Sequence, residues 1–281
     1  MKIMVLGVTS GAGKTTIAAM LCRHFARQGL RVSPFKAQNL SLNSYVTSTG
    51  EEIGISQAYQ AWACGREPHW SMNPVLLKPH GERRMQVVLK GRPMMDVGPD
   101  RSMPREALLD AVKKAYLTVA GDSDIVVLEG SGGAAEINLF DRDIANMVMA
   151  DIADAPVVLV GDIDRGGVFA GLYGAFMLLP PEWRGRVKAF IINRFRGDPS
   201  ILGAGIEKLE ELTGVPCAGV LPLYRLRTPA EDSLDLGRDR GAVDVMADVK
   251  QAWMRSLDQL HEASLEHLDY SLIERIAREG R

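Results

Sequence analysis

The run Gly7-Val8-Thr9-Ser10-Gly11-Ala12-Gly13-Lys14-Thr15-Thr16 directly follows the apolar stretch Ile3-Met4-Val5-Leu6. A buried strand, a glycine-rich turn and a Lys-Thr pair opening a helix make a phosphate cradle. Glycines let successive backbone N–H groups curl around an anion, and the helix N-terminus adds the positive end of its dipole. Lys14 reaches the outer phosphates as a point charge, and the Thr15 hydroxyl suits Mg²⁺. Five residues rather than four separate Gly7 from Gly13, a departure from the standard spacing. The segment predicts binding of a nucleoside triphosphate.

Apolar runs at 2–7, 31–35, 124–129, 156–161, 187–192 and 217–221 alternate with helical spacing at 15–28, 104–120, 143–153 and 168–178. Val-, Ile- and Leu-rich strands alternating with helices predict an α/β fold of the P-loop type, a mostly parallel sheet with helices on both faces. Gly29 and Gly121 sit where helices should stop. Right-handed crossovers bring the strands' carboxyl ends to one edge, where ligand belongs. Residues 36–100 fit less well, with one short strand candidate at Gln86-Val87-Val88-Leu89, and such an insertion reads as a functional loop region. Residues 222–243 read as a linker or wrapping segment. From Asp244 to Arg278 the chain reads as helical: Val245, Val249, Ala252, Leu257 and Leu260 line one face, and Leu265, Leu268, Leu272 and Ile276 another. The expected organisation is a ligand-binding domain over 1–236 and a linker with a helical tail over 237–281.

The 281 residues suffice for one large core, and a formal net charge of −2 gives no reason to expect nucleic acid or anionic lipid as partner. Cys22, Cys64 and Cys217 are far apart and outside any Cys-x-x-Cys pair, which argues for a reducing compartment. With no signal-like leader and no membrane-length apolar run, a cytoplasmic protein is expected. Assembly into homo-oligomers stays open.

Several further groups carry chemistry. The strand 124–129 ends in Glu129, where a phosphate-loop fold places a second metal-liganding acid near Thr15. Gly130-Ser131-Gly132-Gly133 permits close backbone approach, or is a simple turn. Lys36 ends the second strand and faces the same edge, suited to stabilising charge during phosphoryl transfer. The polar run Gln38-Asn39-Leu40-Ser41-Leu42-Asn43-Ser44 favours a ligand site, because apolar packing needs none of these side chains. Asp143 and Asp164 are able to cap helices, which suffices for one of them. Arg142 and Arg165 suit bidentate carboxylate or phosphate recognition. Asn193 reads a base edge or merely terminates its strand.

Together these segments resemble the cobyric acid synthases, cobalamin-pathway amide ligases of the dethiobiotin-synthetase-like group. The resemblance rests on residues 34–47, Glu52-Ile53-Gly54, 72–79, 135–147, 162–170, 191–198 and Glu231-Asp232-Ser233-Leu234. It implies ATP- and Mg²⁺-dependent amidation of corrin side-chain carboxylates, from cobyrinic acid a,c-diamide to cobyric acid, through an acyl phosphate. By resemblance, Gly11, Ala12, Gly13, Lys14, Thr15 and Thr16 hold ATP, Asn193 contacts adenine, and Thr15, Glu129 and Glu52 form the metal shell. Lys14, Lys36 and Glu129 are the catalytic set. Gln38, Asn39, Asn43, Asn73, Asn138, Asp143, Asn146, Asp164 and Arg165 go to the corrinoid side.

Two departures stand out. Members of the group normally continue into a glutaminase domain with a nucleophilic Cys, whereas no Cys follows Cys217 and the tail looks as though that domain were excised near 240–250. The expectation is a chain unable to hydrolyse glutamine alone, supplied with free ammonia or ammonia from a separate glutaminase subunit. Ile55 stands where members often carry Arg. The competing readings are a partner-binding switch ATPase of the ParA/MinD type, against which Thr9 replaces that class's signature Lys, and a regulatory or other-substrate descendant of the ligase.

Overall fold

The computed structural model describes residues 1–81, 84–224 and 246–279. Its strands are β1 (Lys2–Gly7), β2 (Val32–Phe35), β3 (Gln38–Leu40), β4 (Ser44–Val46), β5 (Glu52–Gly54), β6 (Val75–Pro79), β7 (Met85–Leu89), β8 (Arg92–Val97), β9 (Ile125–Glu129), β10 (Val157–Asp162), β11 (Val187–Phe195) and β12 (Cys217–Pro222). The helices are α1 (Lys14–Arg27), α2 (Ile55–Ala63), α3 (Arg105–Gly121), α4 (Met147–Ala153), α5 (Val168–Leu178), α6 (Pro181–Arg184), α7 (Gly203–Thr213), α8 (Met246–Ser264) and α9 (Tyr270–Arg278). The chain forms two compact units. Met1–Ile17, Leu128–Arg225 and Leu260–Arg281 make the first, and Ala18–Val127 with Leu226–Gln259 the second.

The first unit is built on a parallel sheet in the order β12-β11-β10-β1. Ile3, Met4, Val5 and Leu6 are buried without alternation, as are Val157 to Val160. That is the mark of a parallel strand covered on both faces. Helix α5 packs on β10 and β11, and α9 on β1 and β12. The residues leaving β9 continue beside β1, where the Gly130 N–H donates to the Val5 carbonyl at 3.0 Å. The fold is the mostly parallel α/β sheet that the strand–helix alternation predicts.

In the second unit β2 adjoins β9, with the Asp124 N–H on the Arg31 carbonyl at 2.8 Å. A four-stranded sheet of order β3-β6-β7-β8 and the β4-β5 pair fill the region 36–100. Here the sequence reading falls short, since it finds only the strand now seen as β7. The missed strands are short and carry Asn, Gln, Lys and Pro, which erase the period-two signal. Helix α2 escaped because it is short and buried all along, from Ile55 to Ala63, its polar Ser56, Gln57 and Gln60 included, so that no solvent-facing stripe of charges marks it.

Two boundaries also move. The helix expected over 143–153 starts at Met147, with Asn146 at its N-cap position; ahead of it the Asp143 carboxylate accepts the N–H groups of Ala145, Asn146 and Val148 at 2.8–3.1 Å and holds the turn that leads in. Asn193 does not end its strand, which runs on to Phe195.

The tail is helical, with Leu257, Leu260, Leu268, Leu272 and Ile276 buried and Leu265 exposed. In the second unit α8 lays Trp253 against Trp62, stacked at 6.2 Å, and its Asp258 takes a two-pronged ion pair from Arg23. Residues 225–245 lie outside the described residues. So do most of the expected linker 222–243, Val245 and the Glu231–Leu234 stretch. No helix among the described residues is long and apolar enough to cross a membrane.

Candidate nucleotide site

The phosphate loop lies between β1 and α1, wholly within the first unit up to Ile17. Gly13 has φ +96°, and a Cβ there would stand 2.1 Å from Asn193 Nδ2, so conformation and space both demand glycine. Lys14 is nearly buried and spans the loop, donating to the Gly132 carbonyl at 2.7 Å and the Thr9 carbonyl at 3.1 Å. The Thr15 hydroxyl donates to Glu129 Oε1 at 2.6 Å, and Glu129 is only 1% exposed. Thr16 sits half-buried in the first turn of α1. A hydroxyl and a buried carboxylate are hard oxygen donors, the pair Mg²⁺ prefers when phosphate and water complete its shell.

The surroundings hold this arrangement in place. Asn146 accepts from the Ser131 N–H at 2.9 Å and donates to the Ser131 carbonyl at 2.8 Å, fixing the turn that follows Glu129. Asn193 donates to the Ala12 carbonyl at 2.9 Å. Asp164 pairs with Arg196 at 2.7 Å, and the residue at the N-cap position of α5 is Gly167. Asn138 and Arg165 are exposed. One residue to which the sequence reading gave no role also belongs here. Arg194 donates to the Gly11 carbonyl at 2.9 Å and to Asp162 at 2.8 Å.

The other expected site residues lie in the second unit. Lys36 is 5% exposed. The Asn39 amide donates to Gln57 Oε1 at 3.0 Å and to Ser56 at 3.2 Å. Asn73 is consumed by backbone, donating to the Lys36 and Val75 carbonyls and accepting from the Gly54 N–H. Gln38 is half-buried and Asn43 exposed. Glu52 receives Lys78 Nζ and the Ser44 hydroxyl. Burial pushes its carboxyl up, but these two donors hold it below the ordinary carboxylate value.

Fold and loop together define a phosphate-loop nucleotide-binding protein. A family model for the CobQ/CobB/MinD/ParA nucleotide binding domain matches residues 3–232, and the chain belongs to that family. It is 53% identical to a probable cobyric acid synthase of Methanococcoides burtonii over 86% of this chain and 49% of that protein. A probable cobyric acid synthase of Methanocella arvoryzae is 49% identical over 98% of this chain and 55% of its own length. The cobyric acid synthase of Streptococcus sanguinis is 52% identical over 83% and 47%. The resemblance read from the sequence therefore holds, and the chain spans about half the length of the curated relatives it matches. The Methanocella match takes in the tail helices as well.

Proposed function

We propose that this chain is the ATP-dependent, amide-forming part of a cobyric acid synthase-type ligase. Its acceptors are the side-chain carboxylates of a corrinoid acid. The observation that carries the reading is the buried Thr15–Glu129 pair beside Lys14, in a chain about half identical to proteins of that name. A carboxylate is a poor acyl donor until its oxygen becomes a leaving group. The substrate carboxylate oxygen attacks the γ-phosphorus, and ADP departs with the electrons of the broken P–O bond. Ammonia then attacks the acyl carbon, inorganic phosphate departs, and nitrogen gives up its extra proton to yield the amide.

Each group takes a role in this scheme. Backbone N–H groups of Gly11, Ala12 and Gly13 cradle phosphate, with Thr16 in the first helical turn. Lys14 moves from its two carbonyl partners to the outer phosphates. Thr15 and Glu129 hold Mg²⁺, which when bound offsets phosphate charge. Lys36 supplies a further cation for transfer, and Asn193 keeps its carbonyl oxygen for adenine while its amide holds the loop. On the corrinoid side Gln38, Asn43, Asn138 and Arg165 make contacts, while Asn39, Asn73, Asp143, Asn146 and Asp164 shape the segments that carry them. Glu52, tied to Lys78 and Ser44, serves the metal only by exchanging those donors. Ammonia arrives free or from a glutaminase. The burial that raises Cys217 is the reverse of what a nucleophilic thiolate requires.

The test is incubation with ATP, Mg²⁺ and adenosylcobyrinic acid a,c-diamide, with ammonium or glutamine supplied separately and products followed by mass spectrometry. Amide formation with ammonium supports the ligase. ATP turnover indifferent to the corrinoid and raised by a protein partner moves the reading to a switch ATPase.

A further inference from the structure

β11 is irregular at the site. Its register against β12 shifts between Ile192 and Phe195, and Arg194, inside that shift, has φ +65°. A left-handed backbone is unfavourable for an arginine and persists only where the surroundings require it. Bulges of this sort re-aim side chains next to functional sites. Here the re-aimed side chain crosses to the phosphate loop, donating from Nη1 to the Gly11 carbonyl at 2.9 Å and to Asp162 Oδ2 at 2.8 Å. Asp162 is itself fixed: its other oxygen accepts the Asp164 N–H at 2.9 Å, and its side chain is 9% exposed.

The neighbouring residue acts on the next peptide. Asn193 holds the Ala12 carbonyl at 2.9 Å, so consecutive residues of β11 grip consecutive carbonyls of the loop. In a trans peptide the carbonyl and the following N–H point in opposite directions. Drawing the Gly11 and Ala12 carbonyls toward β11 therefore turns the Ala12 and Gly13 N–H groups away from it. Two successive N–H groups turned the same way form the concavity that binds an anion.

We propose that Arg194 is a positioning residue for the nucleotide. Braced by Asp162, it latches the Gly11 carbonyl and keeps the loop's N–H groups aimed for phosphate before ATP arrives. The proposal rests on the nucleotide reading of the loop, and deepens it by placing the orientation of its amides in β11. The left-handed backbone is part of the device, because an extended backbone at Arg194 would send the guanidinium elsewhere.

The test pairs ATP affinity with amide hydrogen exchange over residues 11–16, measured on nucleotide-free protein. Arg194→Asn keeps a residue that tolerates the left-handed backbone and removes the reach. It is expected to weaken ATP binding about tenfold and to speed exchange at Ala12 and Gly13, with the thermal midpoint little changed. Asp162→Asn should reproduce the loss, and the double variant should add nothing further. Arg194→Lys should recover part of the affinity. Unchanged ATP affinity and unchanged loop exchange in Arg194→Asn would overturn the latch. If the unmodified protein fails to bind ATP, the nucleotide reading falls, while exchange in the free protein still decides whether Arg194 orders the loop.

Discussion

The Thr15 hydroxyl and the Glu129 carboxylate, 2.6 Å apart and both nearly buried, are the residues on which the proposed chemistry turns. A carboxylate is kept this far from water only when a charge or strong donors repay its desolvation. Glu129→Gln keeps shape and hydrogen bonding and removes the charge. It should leave the fold intact and lower ATP-dependent turnover by about 10²-fold or more, with weaker Mg²⁺ dependence. Turnover within a few-fold of the parent would show that Glu129 serves packing alone. Thr15, Lys14 and Glu129 are legible in the sequence because local spacing dictates their places: Lys14 and Thr15 open α1, and Glu129 ends β9. Arg194 is not legible, because it acts across 183 positions and only through a strand irregularity. The polar residues of 38–73 have a structural use beside the one the letters suggest. Asn39 and Asn73 look like ligand contacts as letters, but closing short strands onto loops also requires side-chain amides, and that is where their hydrogen bonds go.

Among the elements, β1, β9, β10 and β11 of the six-stranded sheet announce themselves through runs of Val, Ile, Leu and other apolar residues, and β2 and β12 through shorter ones, while β3 to β6 and β8 do not. The tail shows both outcomes at once. Its helical spacing is plain, yet nothing in the letters says that the turn after α8 lies along β12. There the Asp269 N–H donates to the Ala218 carbonyl at 2.8 Å and the Val220 N–H to the His267 carbonyl at 3.2 Å. A Cβ at Gly219 would stand 2.0 Å from that same His267 carbonyl, so a bare glycine admits the approach. The contact covers an edge strand that would otherwise offer unpaired backbone. Tyr270 pins α9, its hydroxyl 2.6 Å from that of Ser264. Burial pushes its phenol up to about 12, against the lowering effect of the Ser264 bond. The folded state thus holds the proton more tightly than the unfolded chain, where the phenol titrates near 10. Its contribution is full below about pH 10 and lost as pH rises toward about 12. Urea midpoints measured across that window should fall more steeply for the parent than for Tyr270→Phe; parallel curves would refute the buried phenol as the cause.

At the scale of the whole molecule, the phosphate loop, Glu129 and Asn193 belong to the first unit, while the residues assigned to the acceptor side divide between the two, with Gln38, Asn39, Asn43 and Asn73 in the second. A nucleotide-binding family whose description names CobQ, CobB, MinD and ParA together does not by itself say which use the phosphate is put to. The use proposed above is transfer to a carboxylate, and it rests on identity of about half to proteins named cobyric acid synthase. The two uses differ in one atom. A ligase sends a carboxylate oxygen out with phosphate, whereas a switch ATPase takes that oxygen from water. The most direct measurement is therefore a turnover with corrinoid acid carrying heavy oxygen in its carboxylates, in ordinary water with ATP, Mg²⁺ and ammonium. The account predicts one labelled oxygen in the inorganic phosphate for each amide formed. Unlabelled phosphate, released whether or not the corrinoid is present, would contradict it.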